Sequence, residues 1–286
     1  SGERSGVSTR GLALVTPHID TFRASDGYDL TVHRYAPAGE PRGRVVYLHG
    51  IQSHAGWYAA SCAALATAGF TVEFLDRRGS GRNTVARGDT PSWRRLVDDI
   101  AELLASGPPA VLLSVSWGGK LAVALEQVYP GRTRGVALIT PGICPQLGPP
   151  LLTRLRIGGA WLFAPTRTFP IPLDDPALFT ANPSRQAYIR DDPLALRRAT
   201  ARFFIESVRL DAAIARARVT VPVLLMLAEK DRITHNERTR AYVGRLGAPE
   251  VLVREYAGAS HTLEFEPDPS AVLTDLERWV AERVRG

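Results

Sequence analysis

Short apolar runs rich in β-branched residues alternate with helical patterns along most of this 286-residue chain, and this alternation limits the possible folds more than any other feature. Residues 30–35, 44–49, 71–75, 110–115, 136–140, 221–227 and 251–255 predict strands; residues 57–68, 93–105, 117–129 and 271–284 predict helices. Strands separated by helices are not hairpins. They pair in parallel, with each helix as the crossover, so the expected class is α/β, a mostly parallel central sheet flanked by helices on both faces.

Residues 141–218 break the alternation. The stretch is rich in proline, carries no convincing strand, and scatters large apolar side chains, among them Trp161, Phe163, Phe179, Phe203 and Phe204. Because it separates two strand patterns of one sheet, it reads as an insertion, which divides the chain into a core of residues 1–140 and 219–286 and a cap or lid of residues 141–218. Such an insertion is expected over the carboxyl ends of the strands, where open α/β sheets hold their ligands. Trp161, Phe163, Phe203 and Phe204 are then the aromatic residues expected to line a substrate pocket, with His49 and Gly50 from the core.

Composition narrows the function classes. The net charge of +6 comes mainly from arginines spread along the chain, with Lys120 and Lys230 the two lysines, so no basic tail speaks for a nucleic-acid partner. Arg198, Arg202 and Arg209 are expected on one solvated helix face opposite Phe203 and Phe204. No run approaches the roughly 20 apolar residues of a membrane-spanning helix. Cys62 and Cys144 stand far apart, without the spacing of a metal cluster or redox pair, and a disulfide is not expected. The chain begins Ser-Gly and not Met, and residues 1–12 are set aside from fold reasoning. The expectation is a cytoplasmic protein, with export and oligomeric state left open.

The chemistry is carried by Ser114-Val115-Ser116-Trp117-Gly118-Gly119. A serine between a strand and a helix projects its hydroxyl from a sharp turn, and the positions two before and two after it must be small because their backbones crowd together. Ser114 and Gly118 meet that demand. A serine hydroxyl needs a base to accept its proton. Of the six histidines, His261 in "GASHTLEFE" follows a strand at the sheet's carboxyl edge, whereas His235 falls in a charged stretch read as a turn. A carboxylate must in turn fix the histidine; Asp231 in "LAEKDRIT" has the matching position, with Glu229 as rival. An oxyanion needs two aimed donors: the Trp117 N–H, and the Ile51 N–H in the turn that Gly50 opens. The order Ser116, Asp231, His261 is that of the serine, acid and histidine on an α/β-hydrolase sheet.

From about residue 20 onward the sequence resembles the α/β-hydrolase superfamily. "HGIQSHAGWY" is similar to the His-Gly-x-x-x-His-x-x-x-Tyr opening of the monoacylglycerol lipase and lysophospholipase group (serine aminopeptidase S33-like), with His49, Gly50, His54 and Tyr58 on that pattern. "LDRRGSGRN" resembles its Asp-x-Arg-Gly-x-Gly segment through Asp76, Arg78, Gly79 and Gly81. The resemblance implies the α/β-hydrolase fold with a helical cap, the triad Ser116, Asp231 and His261, and no metal or organic cofactor. Two departures stand out: Ser114 replaces the glycine usual in the lipase elbow, and Trp117 follows the serine, which with "RGSGR" is reminiscent of proline iminopeptidases.

The expected activity is hydrolysis of a carboxylic ester through an acyl-enzyme, on a small-molecule substrate with an apolar acyl chain. An aminopeptidase would need a cap carboxylate for the substrate amine, and Asp174, Asp175, Asp191 and Asp192 are available. Acyl transfer to another alcohol, or a non-catalytic binding protein on the same fold, are the further alternatives.

Overall fold

The structure, a computed structural model, describes residues 15–284; residues 1–12, set aside above, lie outside them. The strands are β1 (His18–Arg23), β2 (Asp29–Tyr35), β3 (Gly43–Leu48), β4 (Phe70–Leu75), β5 (Ala110–Val115), β6 (Val136–Ile139), β7 (Thr168–Pro170), β8 (Arg198–Thr200), β9 (Val223–Ala228) and β10 (Val251–Tyr256). The helices are α1 (Ala59–Thr67), α2 (Trp93–Ala105), α3 (Gly118–Val128), α4 (Leu151–Phe163), α5 (Pro183–Asp191), α6 (Ala201–Ile214), α7 (Asn236–Gly244) and α8 (Ser270–Arg283).

Eight strands form one sheet in the order β1-β2-β4-β3-β5-β6-β9-β10. The β1–β2 and β2–β4 pairs are antiparallel and all others in this sheet are parallel. The chain is thus an α/β fold with a mostly parallel sheet. Every residue of β5 (AVLLSV) and β9 (VLLMLA) is buried, as central parallel strands covered on both faces require. β10, at the edge, is only partly covered.

Local chemistry sets the helix ends. The Ser92 side chain accepts from Arg95 N and starts α2. At the other end of α2, the buried Arg44 guanidinium donates to the Leu103, Leu104 and Pro108 carbonyls and to Glu73, so β3 supplies the cap of a neighbouring helix. Lone alkyl surface on such helices gains about 25 cal/mol per Å² on burial, and the apolar stripe of α2 (Leu96, Val97, Ile100, Leu103, Leu104) is buried along its length.

Three expectations change. β1 and α7 did not show in the sequence: β1 is an edge strand with no buried residue, and α7 buries only Thr239, Tyr242 and Val243, so neither carries a clear apolar period. His235 precedes α7 directly. Residues 141–218 contain a ribbon of β7 and β8, each three residues long and too short to leave a pattern. Arg198 lies on that ribbon, donating to Thr168 O, and not on the helix with Arg202 and Arg209; the helix begins at Ala201, capped by the Thr200 side chain. Arg202 pairs with Asp89, and Arg209 with Glu206.

Within 141–218 the packing divides. α6 buries Phe203, Leu210 and Ile214 in the main core. α4 shares only a small separate cluster, in which Ile157 and Ala160 meet Phe169 and Ala201.

Candidate active site

Ser116 follows β5 directly, with φ of 52°. A side chain in this left-handed region costs on the order of 1–3 kcal/mol and persists only where packing holds it. Here Ser116 N donates to Ile139 O (3.0 Å), while Gly119 N and Gly142 N donate to Ser116 O (2.9 and 2.7 Å). A β-carbon at Gly118 would stand 2.6 Å from the His49 carbonyl oxygen, so the α3 start admits only glycine at that contact. Ser114 is buried and donates from Oγ to Ala137 O at 2.9 Å, a bond from β5 to its neighbour β6 that glycine would lack.

The loops after β9 and β10 bring two further groups to this turn. Ser116 Oγ lies 2.9 Å from His261 Nε2, and His261 Nδ1 lies 2.8 Å from Asp231 Oδ2. Both the His261 and the Asp231 side chains are almost wholly buried. Asp231 is held by its own loop: Ile233 N and Thr234 N donate to Oδ1 (2.8 and 3.0 Å), and Thr234 Oγ1 donates to Oδ2 (2.8 Å). Burial pushes this carboxyl up, but the His261 charge and hydrogen bond, with the Ile233 and Thr234 donors, outweigh it and hold the carboxyl below its ordinary value. Glu229, the rival, is exposed and accepts from Gly258 N at 2.6 Å.

The loop after β3 crosses close above the serine: a β-carbon on Gly50 would lie 3.1 Å from Ser116 Cβ, and Gly50 N donates to Ser53 Oγ at 3.0 Å. Ile51, Trp117 and Ser116 all border one cavity of about 480 Å³. Among the described residues, neither the Ile51 N–H nor the Trp117 N–H donates to a protein acceptor. Sequence reasoning missed Arg77, which joins these two segments. Its buried guanidinium donates to Ile51 O at 3.0 Å and lies 5.0 Å from the ring centroids of both Trp117 and Phe203. Burial lowers its pKa to about 9.

The two family-like motifs serve the framework around the site. His49 does not border the cavity. Its Nε2 accepts from Arg77 N at 2.9 Å, Nδ1 donates to Gly50 O at 2.7 Å, and burial lowers its pKa to about 3, which keeps the ring neutral. His54 and Trp57 both donate to Asp192 Oδ2, at 2.9 and 2.6 Å, and so tie this loop to the end of α5. Asp76 accepts from Ala55 N and Arg82 N (2.9 and 3.0 Å) and from His33 Nε2 (3.1 Å). Arg78 makes a two-pronged bond to Asp99.

The expected aromatic lining is corrected in three of four places. Phe204 borders the cavity. Phe203, one residue away and therefore turned about 100° around α6, points down onto Trp117 with ring centroids 5.2 Å apart. Trp161 stacks with Arg209 outside the cavity, and Phe163, at the end of α4, is 89% exposed. The apolar lining comes instead from residues such as Ile157, Ile171, Leu173 and Ile233, while Lys120, Ser207 and Asp211 add a polar patch that sequence reasoning also missed. Small aliphatic residues in loops and a lysine inside a helix leave no signal of their own. Of the four acidic residues considered for an amine, none borders the cavity: Asp192 is taken by His54 and Trp57, and Asp175 caps a turn at Ala177 N.

Comparison with known proteins places this arrangement. Residues 39–268 match the family described as serine aminopeptidase, S33. A monoacylglycerol lipase of Mycolicibacterium smegmatis is 26% identical over 285 residues, covering 92% of this chain and 97% of that protein. The monoglyceride lipase of Homo sapiens is 25% identical over 281 residues, covering 93% and 90%. The crystal structure of Paleococcus ferrophilus monoacylglycerol lipase, 25% identical, superposes with a TM-score of 0.79 over 89% of this chain and 99% of that one. The chain therefore belongs to the serine aminopeptidase S33 family and is an α/β-hydrolase of the lipase and esterase kind.

Proposed function

We propose that this hydrolase is a serine esterase cleaving a neutral acyl ester of the monoacylglycerol type, with Ser116 as nucleophile, His261 as general base and acid, and Asp231 as the group that orients His261. The observation that carries the reading is the unbroken relay from Ser116 Oγ to His261 Nε2 (2.9 Å) and from His261 Nδ1 to Asp231 Oδ2 (2.8 Å), ending on a serine held in a left-handed turn. The lipases similar along nearly the whole chain support the ester class.

In this mechanism Ser116 Oγ attacks the acyl carbon while its proton passes to His261 Nε2. The carbonyl oxygen becomes an oxyanion, which the Ile51 and Trp117 N–H groups receive. Collapse breaks the bond to the alcohol, which leaves with the proton from His261. Water then attacks the acyl-enzyme, gives its proton to His261, and releases the acid as Ser116 is restored. Asp231 stays ionised throughout and stabilises the imidazolium. Residues 141–218 act as the cap whose aliphatic wall receives the acyl chain.

The aminopeptidase reading lacks a carboxylate free to hold an amine. Asp211 is the acidic residue that borders the cavity, and Lys120 already occupies it.

Labelling with a fluorophosphonate probe tests the nucleophile: intact protein labels, and Ser116→Ala does not, while ester hydrolysis falls by roughly 10³-fold or more. Labelling that survives the substitution would move the nucleophile elsewhere.

A further inference from the structure

Arg77 stands at the open position of the Asp-x-Arg-Gly-x-Gly segment, between Asp76 and Arg78, and is 5% exposed. Among the described residues, the carboxylates of this region are engaged elsewhere: Asp76 is taken by Ala55 N, Arg82 N and His33, and Asp26 and Asp99 pair with Arg78. Nη2 donates to Ile51 O at 3.0 Å, while Nε and Nη1 are buried without a protein acceptor. The rings of Trp117 and Phe203, each 5.0 Å away, offer an electron-rich face but no anion. A buried cation lacking an opposite charge is unfavourable in itself. Its position explains what offsets that.

The guanidinium lies behind the two proposed oxyanion donors. His49 Nδ1 donates to Gly50 O at 2.7 Å, and in a planar trans peptide this turns the Ile51 N–H, on the opposite edge of the same unit, away from His49. Arg77 secures both ends of that arrangement. Its backbone N–H donates to His49 Nε2 at 2.9 Å, which leaves the ring proton on Nδ1, and its side chain holds Ile51 O. The ring beneath the guanidinium belongs to Trp117, whose backbone N–H is the second donor.

We infer that Arg77 is a positioning residue of the oxyanion hole, and that its unmatched positive charge stabilises the negative oxygen formed when Ser116 adds to the acyl carbon. The inference rests on the reading of Ser116 as nucleophile. A bound ester is neutral and gains little from a cation behind the cavity wall. Once the electron pair of the C=O bond moves onto oxygen, an opposite charge faces the guanidinium across the Ile51 and Trp117 segments. A cation already fixed by packing stabilises that charge without reorganising. The effect therefore falls on the transition state and not on substrate binding, whereas a role in packing alone would weaken both.

Hexyl trifluoromethyl ketone and hexyl methyl ketone separate these two roles. The first takes Ser116 Oγ onto its carbonyl carbon; the serine proton passes to His261, and the carbonyl electron pair stays on oxygen as an anion. The second binds as a neutral ketone. In Arg77→Met, which keeps an unbranched stem against Trp117 and Phe203, kcat/KM for p-nitrophenyl butyrate should fall roughly ten- to hundredfold. The inhibition constant of the trifluoromethyl ketone should rise by a similar factor, and that of the methyl ketone should stay within about twofold. Arg77→Lys, which restores a positive charge without the planar fork, should return the rate and the trifluoromethyl ketone affinity to within about fivefold of the intact protein. If Arg77→Met fails to fold, Arg77→Gln, neutral but with a donor for Ile51 O, is read in the same assays with the same expectation. An unchanged rate in the folded neutral variant overturns the inference, as does equal weakening of the two ketones or a lysine variant no better than the neutral one; each leaves the nucleophile standing. An intact protein that neither cleaves the ester nor binds the trifluoromethyl ketone removes the esterase reading itself, and this inference with it.

Discussion

The turn around Ser116 and the helix α4 border the same cavity and are built in opposite ways. The turn is over-determined: three backbone hydrogen bonds, two glycines whose β-carbons would clash (Gly118 with the His49 carbonyl, Gly119 with Pro141), and a fully buried strand hold one serine at φ 52°. α4 buries only Ile157 and Ala160, joins a small separate cluster, and leaves Leu151, Leu152, Leu155, Leu162 and Phe163 more than half exposed. The proposed nucleophile thus sits on the rigid side of the cavity, and the wall proposed to meet the acyl chain sits on the side with few contacts. Packing of this kind lets catalytic geometry persist while the opposite wall adapts.

The contrast is broken most severely at Gly118. Gly118→Ala drives a methyl group to 2.6 Å from the His49 carbonyl oxygen, a backbone atom and not the end of a flexible side chain; a loss of about 3 kcal/mol is expected, with hydrolysis lost as the serine turn shifts. Chemical denaturation and an ester assay on the same preparation check both. An unchanged midpoint would mean that the turn is looser than its contacts imply.

On the opposite wall, Ile157→Ala should cost about 1–2 kcal/mol at most, less than a main-core site, because α4 can close over the gap. Its mark should be a raised KM with kcat little changed. Phe163→Ser on the same helix, where the side chain touches little, should move stability by no more than about 0.5 kcal/mol. If Ile157→Ala instead lowers kcat as strongly as a change at the turn, the two regions are coupled and the distinction between them fails.

A pH effect sharpens the comparison on the side of the serine turn. Glu264, three residues after His261, accepts from Ala60 N, Ser61 N and Ser61 Oγ at the start of α1. Burial raises its carboxyl from 4.5 to about 7 in spite of these donors. Between those values the folded protein holds a proton that the unfolded chain has released, so stability falls as the pH rises across that window. Comparing denaturation midpoints at pH 5 and pH 8 should show a decrease on the order of 1 kcal/mol in the intact protein, and a smaller one in Glu264→Gln.

Much of the site was legible along the chain. An apolar run that stops at Ser116, a small residue on either side, and an acid and a histidine each a few residues past a later strand suffice, because parallel strands deliver their following loops to one edge. Glu229 lost to Asp231 for a reason no spacing shows: the Asp231 carboxylate is gripped by donors of its own loop, whereas Glu229 turns outward to Gly258. β1 and α7 escaped notice because they bury too little to impose a period.

By itself, then, the sequence determined seven of the sheet's eight strands and the order of the three groups at its edge, since both follow from local periodicity and from the short reach of loops. The tertiary structure alone decided that Phe204 and not Phe203 faces the cavity, that Arg77 braces the Ile51 and Trp117 segments, and that Lys120 meets Asp211. Those outcomes depend on how α6 rotates against α3, as when Trp117 bonds a serine 90 residues away. Rotation about a helix axis is set by which side chains interlock across the interface, a property of two surfaces together that neither segment carries in its own pattern.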